Sequence, residues 1–185
     1  MKLFLKFTFT LTLFIVQTSQ SQTIDTLVDV GNHKLHFNIT KGKGIPILFE
    51  CGGGSVSTTW NSILEPIHKI TGTTLITYDR AGGGKSTIDT FETDPKKHSI
   101  INLIEDLETG LKKLGYDKEI ILVAHSYGGY LATLYSIRHP DLVKSVVLID
   151  VNHTYFDKYA EEDIKEAEKY LPEFKKTDWG CITSC

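Results

Sequence analysis

Short apolar runs alternate along the chain with longer segments whose apolar residues fall at helical spacing. Thr26–Val30 and Lys34–Thr40 alternate apolar and polar positions, with Gly31 and Asn32 between them. That pattern predicts a hairpin of half-buried strands. Ile45–Phe49 and Thr74–Tyr78 are mostly apolar runs, the signature of strands covered on both faces. Trp60, Ile63, Leu64, Ile67 and Ile70 recur at helical spacing. Ile100, Leu103, Ile104, Leu107, Leu111 and Leu114 form a second stripe, which Gly115 ends. Ile120–Ala124 reads as a strand, Gly128–Arg138 as a helix closed by Pro140, and Val143–Ile149 as a strand. A hairpin followed by repeated strand–helix units predicts an α/β fold with a mostly parallel sheet.

The two ends differ from this middle. Lys2 and Lys6 open a leader in which Phe7 to Val16 carries no charge, and Q-T-S-Q-S-Q follows. Basic, apolar and small–polar segments in that order make a secretory signal peptide. Ser19 and Ser21 then stand at the −3 and −1 positions of a cut before Gln22. The apolar run is shorter than the roughly 20 residues a membrane span takes. Residues 1–21 are therefore expected to be removed, and the rest exported to the periplasm or the extracellular space without a stable membrane span. Residues 22–153 read as the folded core. Tyr159–Tyr170 is rich in Glu, Asp and Lys, with Ile164, Ala167 and Leu171 on one face, as in an amphipathic surface helix.

Composition narrows the choice of chemistry. The 185 residues are 41% hydrophobic and 23% charged, as in globular domains. Twenty Lys and Arg face 23 Asp and Glu, for a net charge of −3. With no basic excess to neutralise phosphates, a nucleic-acid partner is not expected. Cys51, Cys181 and Cys185 give no even disulfide framework. Export would permit Cys181 and Cys185 to pair and would leave Cys51 as a small buried residue. The terminal cysteines lack a matching His or Cys pair nearby, so neither zinc nor any other cofactor is expected.

Three segments carry candidate chemistry. In I-I-L-V-A-H-S-Y-G-G, Ile120–Gly129, an apolar strand runs into small–x–Ser–x–Gly and then a helix. This is the nucleophile-elbow pattern, with Ala124 in place of its first glycine. Ser126 must occupy a sharp, strained turn, so the positions two residues away, Ala124 and Gly128, must be small. The following helix N-terminus favours developing negative charge. Tyr127 contributes through its backbone N–H as an oxyanion donor. His125, adjacent to the nucleophile on the elbow, projects differently and is not expected to be its base. The second segment, F-E-C-G-G-G-S at Phe49–Ser55, follows a strand. Its glycines let backbone N–H groups approach a ligand. Gly53 is the expected second oxyanion donor, with Gly52 permitting the turn. The third, Y-D-R-A-G-G-G-K-S at Tyr78–Ser86, looks superficially like a phosphate loop, but Asp79 stands where a Walker motif needs its first glycine.

In chain order, strand-E-C-G-G-G, Y-D-R-A-G-G-G-K-S and A-H-S-Y-G-G resemble the α/β-hydrolase superfamily, in its group of esterases, lipases and proline-iminopeptidase-like peptidases. The resemblance runs from about Val28 to His153. It implies an α/β-hydrolase fold with Ser126 as nucleophile and the amides of Gly53 and Tyr127 as the oxyanion hole. It implies a small-molecule ester, amide or peptide substrate, cleaved by acyl transfer. A serine here argues against dehalogenase and epoxide-hydrolase chemistry, which uses an aspartate nucleophile.

The family's order of Ser, then acid, then His is incomplete in this sequence. The expectation is that the chain holds the N-terminal six strands, with the last strands and closing helix missing. Residues 154–185 would then begin a lid or cap region that is cut short, and the chain as written would turn over little or no ester. His139, in R-H-P, lies at the far end of the helix that leaves the elbow. Asp150 and His153, at and beyond the end of the last strand, are the internal substitutes for acid and base. The other readings are a non-catalytic α/β-hydrolase-like protein, a truncated gene product, and an acyl transferase that uses an acceptor other than water.

Overall fold

The computed structural model describes residues 22–88 and 99–151. Six strands form one sheet in the order β1-β2-β4-β3-β5-β6. They are β1 (Thr23–Asp29), β2 (Lys34–Thr40), β3 (Ile47–Glu50), β4 (Leu75–Asp79), β5 (Ile120–His125) and β6 (Val143–Ile149). Three helices connect them, α1 (Asn61–Thr71), α2 (Ile100–Lys113) and α3 (Gly128–Arg138), and a 3₁₀ turn at Ser57–Trp60 leads into α1. β1 and β2 are antiparallel, as is the β2–β4 pair; β4, β3, β5 and β6 run parallel. The mostly parallel α/β sheet read from the sequence is the one observed.

Element limits differ by a few residues, for local reasons. β1 starts at Thr23, because Thr23 and Ile24 pair with Thr40 and Ile39 and prolong the hairpin. β3 starts at Ile47, just after Pro46, which has no N–H to give a ladder. It then extends to Glu50, opposite Ala124 on β5. The side chains alternate between two cores. Leu48, Ile76, Tyr78, Leu122 and Ala124 pack with Ile104, Leu107 and Leu111 of α2 and Leu131, Ala132 and Tyr135 of α3. Phe49, Leu75 and Cys51 face the other way, where Trp60 and, from α1, Leu64 and Ile67 cover them. The sheet is thus a middle layer between helices, and the C-terminal ends of β3, β4 and β5 come together at one edge of it. In β6, by contrast, Val147, Leu148 and Ile149 are exposed.

Outside the described residues lie the leader at 1–21, His153, the amphipathic segment at 159–170, and Cys181 and Cys185. Among the described residues no helix is long and apolar enough to cross a membrane. Cys51 is buried with a free thiol.

Candidate active site

β5 ends at His125, and Ser126 turns the chain into α3. Ser126 has φ 50°, in the left-handed region. A serine pays about 1–2 kcal/mol for that conformation, so its surroundings must enforce it. They do so on three sides. The Ser126 N–H donates to Ile149 O at the end of β6 (3.1 Å), and Ser126 O accepts from Gly129 N (2.9 Å). At Gly128 the backbone itself closes in: a Cβ there would stand 2.4 Å from Cys51 O and 2.8 Å from Glu50 Cγ. The need for a small residue two positions after the serine therefore comes from β3 and its loop. Gly129 is restricted by a side chain instead of backbone, since a Cβ would lie 2.3 Å from Val151 Cγ1. The second glycine of Y-G-G was the available signal for this.

The glycine loop after β3 lies directly on the elbow. A Cβ on Gly52 would be 3.0 Å from His125 Nδ1 and 3.4 Å from Ser126 Cβ; one on Gly53 would be 3.5 Å from Tyr127 Cβ. Gly53 is exposed while Gly52 is buried. The loop thus brings exposed backbone beside Ser126 and Tyr127. His125 has its ring against Gly52. His139 packs on the Tyr135 ring, with centroids 4.6 Å apart, and faces Glu108 at 3.5 Å, at the opposite end of α3 from Ser126. Asp150 follows β6 in a left-handed turn (φ 47°) and is exposed.

Beneath the loop is a buried polar cluster that sequence reasoning missed. Glu50 is 2% exposed. It accepts from the Tyr78 hydroxyl and from Arg80 Nη1, the latter at 2.5 Å. The same guanidinium donates to Cys51 O at 2.7 Å and, through Nη2, to Gly52 O. Its Cζ also lies 5.6 Å from the centre of the Tyr127 ring. Burial pushes the Glu50 carboxyl above its ordinary value, against the pull of Arg80 and Tyr78. Burial and the neighbouring Glu50 push the Tyr78 hydroxyl well up, and the same two causes move the Cys51 thiol to about 11. Cys51 is therefore a thiol at neutral pH and a poor nucleophile. A charged residue at the end of an apolar strand was the signal for the cluster. Its partners stand about thirty positions along the chain, which no local pattern reveals.

In the Y-D-R-A-G-G-G-K-S segment, Asp79 ties its own loop to Ser57 and to His36 on β2. Its carboxylate accepts from Ser57 N (2.7 Å) and Lys85 N (2.9 Å) and meets His36 Nδ1 at 2.9 Å. A Cβ on Gly84 would fall 2.2 Å from Asp79 Oδ2. The Lys85 amide is thus turned onto an internal carboxylate, those of Gly82, Gly83 and Ser86 onto the carbonyls of Thr87, Arg80 and Gly83, and Lys85 Nζ pairs with Asp25 at 2.8 Å. Among the described residues no group of His, Cys, Asp and Glu is arranged to hold a metal ion.

Comparison with known proteins fits this geometry. A (lyso)-N-acylphosphatidylethanolamine lipase from Bos taurus is 32% identical over 140 residues, 74% of this chain and 40% of the relative. A 1-acylglycerol-3-phosphate O-acyltransferase from Sus scrofa is 34% identical over 73 residues, 40% of this chain and 20% of the relative. The chain thus spans less than half the length of these curated relatives. The crystal structure of an epoxide hydrolase from Vigna radiata superposes with a TM-score of 0.67 at 21% identity, over 84% of this chain and 50% of that one. That likeness speaks for the fold. The sequence profile of the alpha/beta hydrolase fold matches residues 45–181, from just before β3 through the elbow and beyond. This chain belongs to the alpha/beta hydrolase fold family.

Proposed function

We propose that the protein is an exported serine hydrolase that cleaves a carboxylic ester or amide of a small molecule or peptide by acyl transfer. The observation that carries the reading is Ser126, held at φ 50° between a parallel strand and a helix with the glycine loop packed on it. In that position the hydroxyl is lifted off the sheet, where it can attack a carbonyl carbon. The carbonyl oxygen gains negative charge in the tetrahedral intermediate. The Gly53 and Tyr127 amides would receive it, helped by the N-terminus of α3.

Attack also needs a base to take the serine proton and an acid to orient that base. His139 lies at the far end of α3 from Ser126, and His125, adjacent to the nucleophile on the elbow, is not expected to be its base. Asp150 at the end of β6 and His153 three residues later are the pair this sequence offers. The Ser126 N–H bond to Ile149 O brings the end of β6 to the elbow, so that an acid following β6 is close to the nucleophile. The lipase named among the relatives supports ester cleavage. The acyltransferase supports a second reading, in which the acyl group passes to an acceptor other than water. Both readings share the acyl-enzyme at Ser126.

A fluorophosphonate probe on the full chain tests the nucleophile. The adduct is expected on the peptide that contains Ser126 and is expected to vanish in Ser126→Ala. Labelling that persists in Ser126→Ala would refute the assignment. Hydrolysis of a short-chain nitrophenyl ester tests the base: turnover lost in both Ser126→Ala and His153→Ala would assign that role to His153. N-terminal mass spectrometry of the exported protein tests the leader, with Gln22 as the expected first residue.

A further inference from the structure

The Arg80 guanidinium touches the candidate site at several points, and none of them is a reacting atom. Nη1 donates to Glu50 Oε1 and Cys51 O, Nη2 donates to Gly52 O, and Cζ sits over the Tyr127 ring, 5.6 Å from its centre. Glu50 anchors it from below and is itself anchored by Tyr78. A guanidinium holds its donors in a fixed planar fork and so serves these three acceptors in one set geometry, which the rotating ammonium of a lysine does not.

The consequence follows from peptide geometry. A trans peptide is planar, so its C=O and the next residue's N–H point in opposite directions. Holding Gly52 O toward Arg80 therefore turns the Gly53 N–H away from Arg80. Ser55 N also donates to Gly52 O, at a longer 3.3 Å, so the turn itself helps to fix this plane. Among the described residues the Gly53 N–H has no acceptor. A glycine pair is the softest stretch of backbone available. Without a clamp, the 52–53 peptide can rotate and aim the amide elsewhere.

We propose that Arg80 is the positioning residue of the oxyanion pocket: by binding the Cys51 and Gly52 carbonyls it sets the direction of the Gly53 amide, and its cation–π contact with Tyr127 ties that amide to the elbow. The proposal rests on the acyl-transfer reading for its chemical meaning, but its structural content is independent of turnover. Arg80 acts on a reaction through Gly53 and touches no substrate itself.

The test begins with the wild-type full chain. NMR should show a through-hydrogen-bond coupling between the Arg80 guanidinium nitrogen and the Gly52 carbonyl carbon, and its absence overturns the proposal. Two variants follow. Arg80→Lys keeps the charge but loses the fork. Glu50→Gln combined with Arg80→Met removes both buried charges together, so that neither is left unpaired. Residual dipolar couplings should show the Gly53 N–H reoriented in either variant, while the amides of β4 and β5 keep wild-type values. Fluorophosphonate labelling of Ser126 should slow about 10²-fold, as when one oxyanion donor is lost. A Gly53 coupling unchanged in a folded variant overturns the proposal. If wild type fails to label at Ser126, the acyl-transfer reading falls, and the Gly53 couplings still decide what Arg80 does.

Discussion

Glu50 and Asp79 end neighbouring parallel strands, and both are buried, yet they are satisfied in opposite ways. Asp79 collects backbone amides from Ser57 and Lys85 and the ring of His36. Burial alone would push its carboxyl up, but the amides of Lys85 and Ser57 outweigh it and hold the carboxyl below its ordinary 3.8. Glu50 receives side chains, Tyr78 and Arg80, and burial leaves its carboxyl raised. The difference is one of reach. The Lys85 amide ties Asp79 to its own 79–86 turn and the Ser57 amide ties it to the start of the 3₁₀ turn, beyond the glycines of the β3 loop. An arginine has donors left over, so Glu50 acts through Arg80 on the next loop and on the elbow.

Removing Glu50 should therefore be the more damaging change. Glu50→Leu leaves the buried guanidinium unpaired, and a loss of about 3–5 kcal/mol is expected. Adding Arg80→Met should return much of it. Urea titrations of the two variants measure both numbers, and a double variant no better than the single one would break the contrast.

Next in size is Gly128→Val, which drives a branched side chain into the Cys51 carbonyl and Glu50. A loss near about 3 kcal/mol is expected, the upper part of the range for overpacking. It is read from the same titration. A variant as stable as wild type would mean that the elbow and the β3 loop are not in contact.

Asp79→Asn should cost less, about 1–3 kcal/mol, because the amide oxygen of asparagine still accepts from one of the two N–H groups. The change also has a pH signature. The folded-state value of Asp79 is lowered, so its contribution is complete above the unfolded value near 3.8 and disappears as pH falls through the lower folded value. Stability followed from pH 6 downward should fall less steeply in Asp79→Asn than in wild type. Equal slopes would show that other carboxylates carry the acid sensitivity.

How much of this was legible beforehand follows the same division. The strands and helices showed in apolar spacing, because each lies within one stretch of chain; β6 matched Val143–Ile149 end to end. The elbow was legible because strand, Ser126 and helix are contiguous, and the strain at Ser126 is local. Local pattern was not enough for Glu50, whose burial depends on Arg80, or for His36, which bridges Asp79 and Asp25 at 2.9 Å each. Both read as ordinary polar residues until the sheet order brings β2, β4 and β3 side by side.

The central claim is that Glu50, acting through Arg80, orients the Gly52–Gly53 peptide that serves Ser126, while Asp79 ties its own turn to Ser57 and His36 and does not reach that peptide. Its most direct test compares the rate of fluorophosphonate labelling at Ser126 in Glu50→Gln and Asp79→Asn, under conditions where both are folded. The account predicts a rate at least about tenfold lower in Glu50→Gln and a rate near wild type in Asp79→Asn. Equal rates in the two variants, or the larger loss in Asp79→Asn, would contradict it.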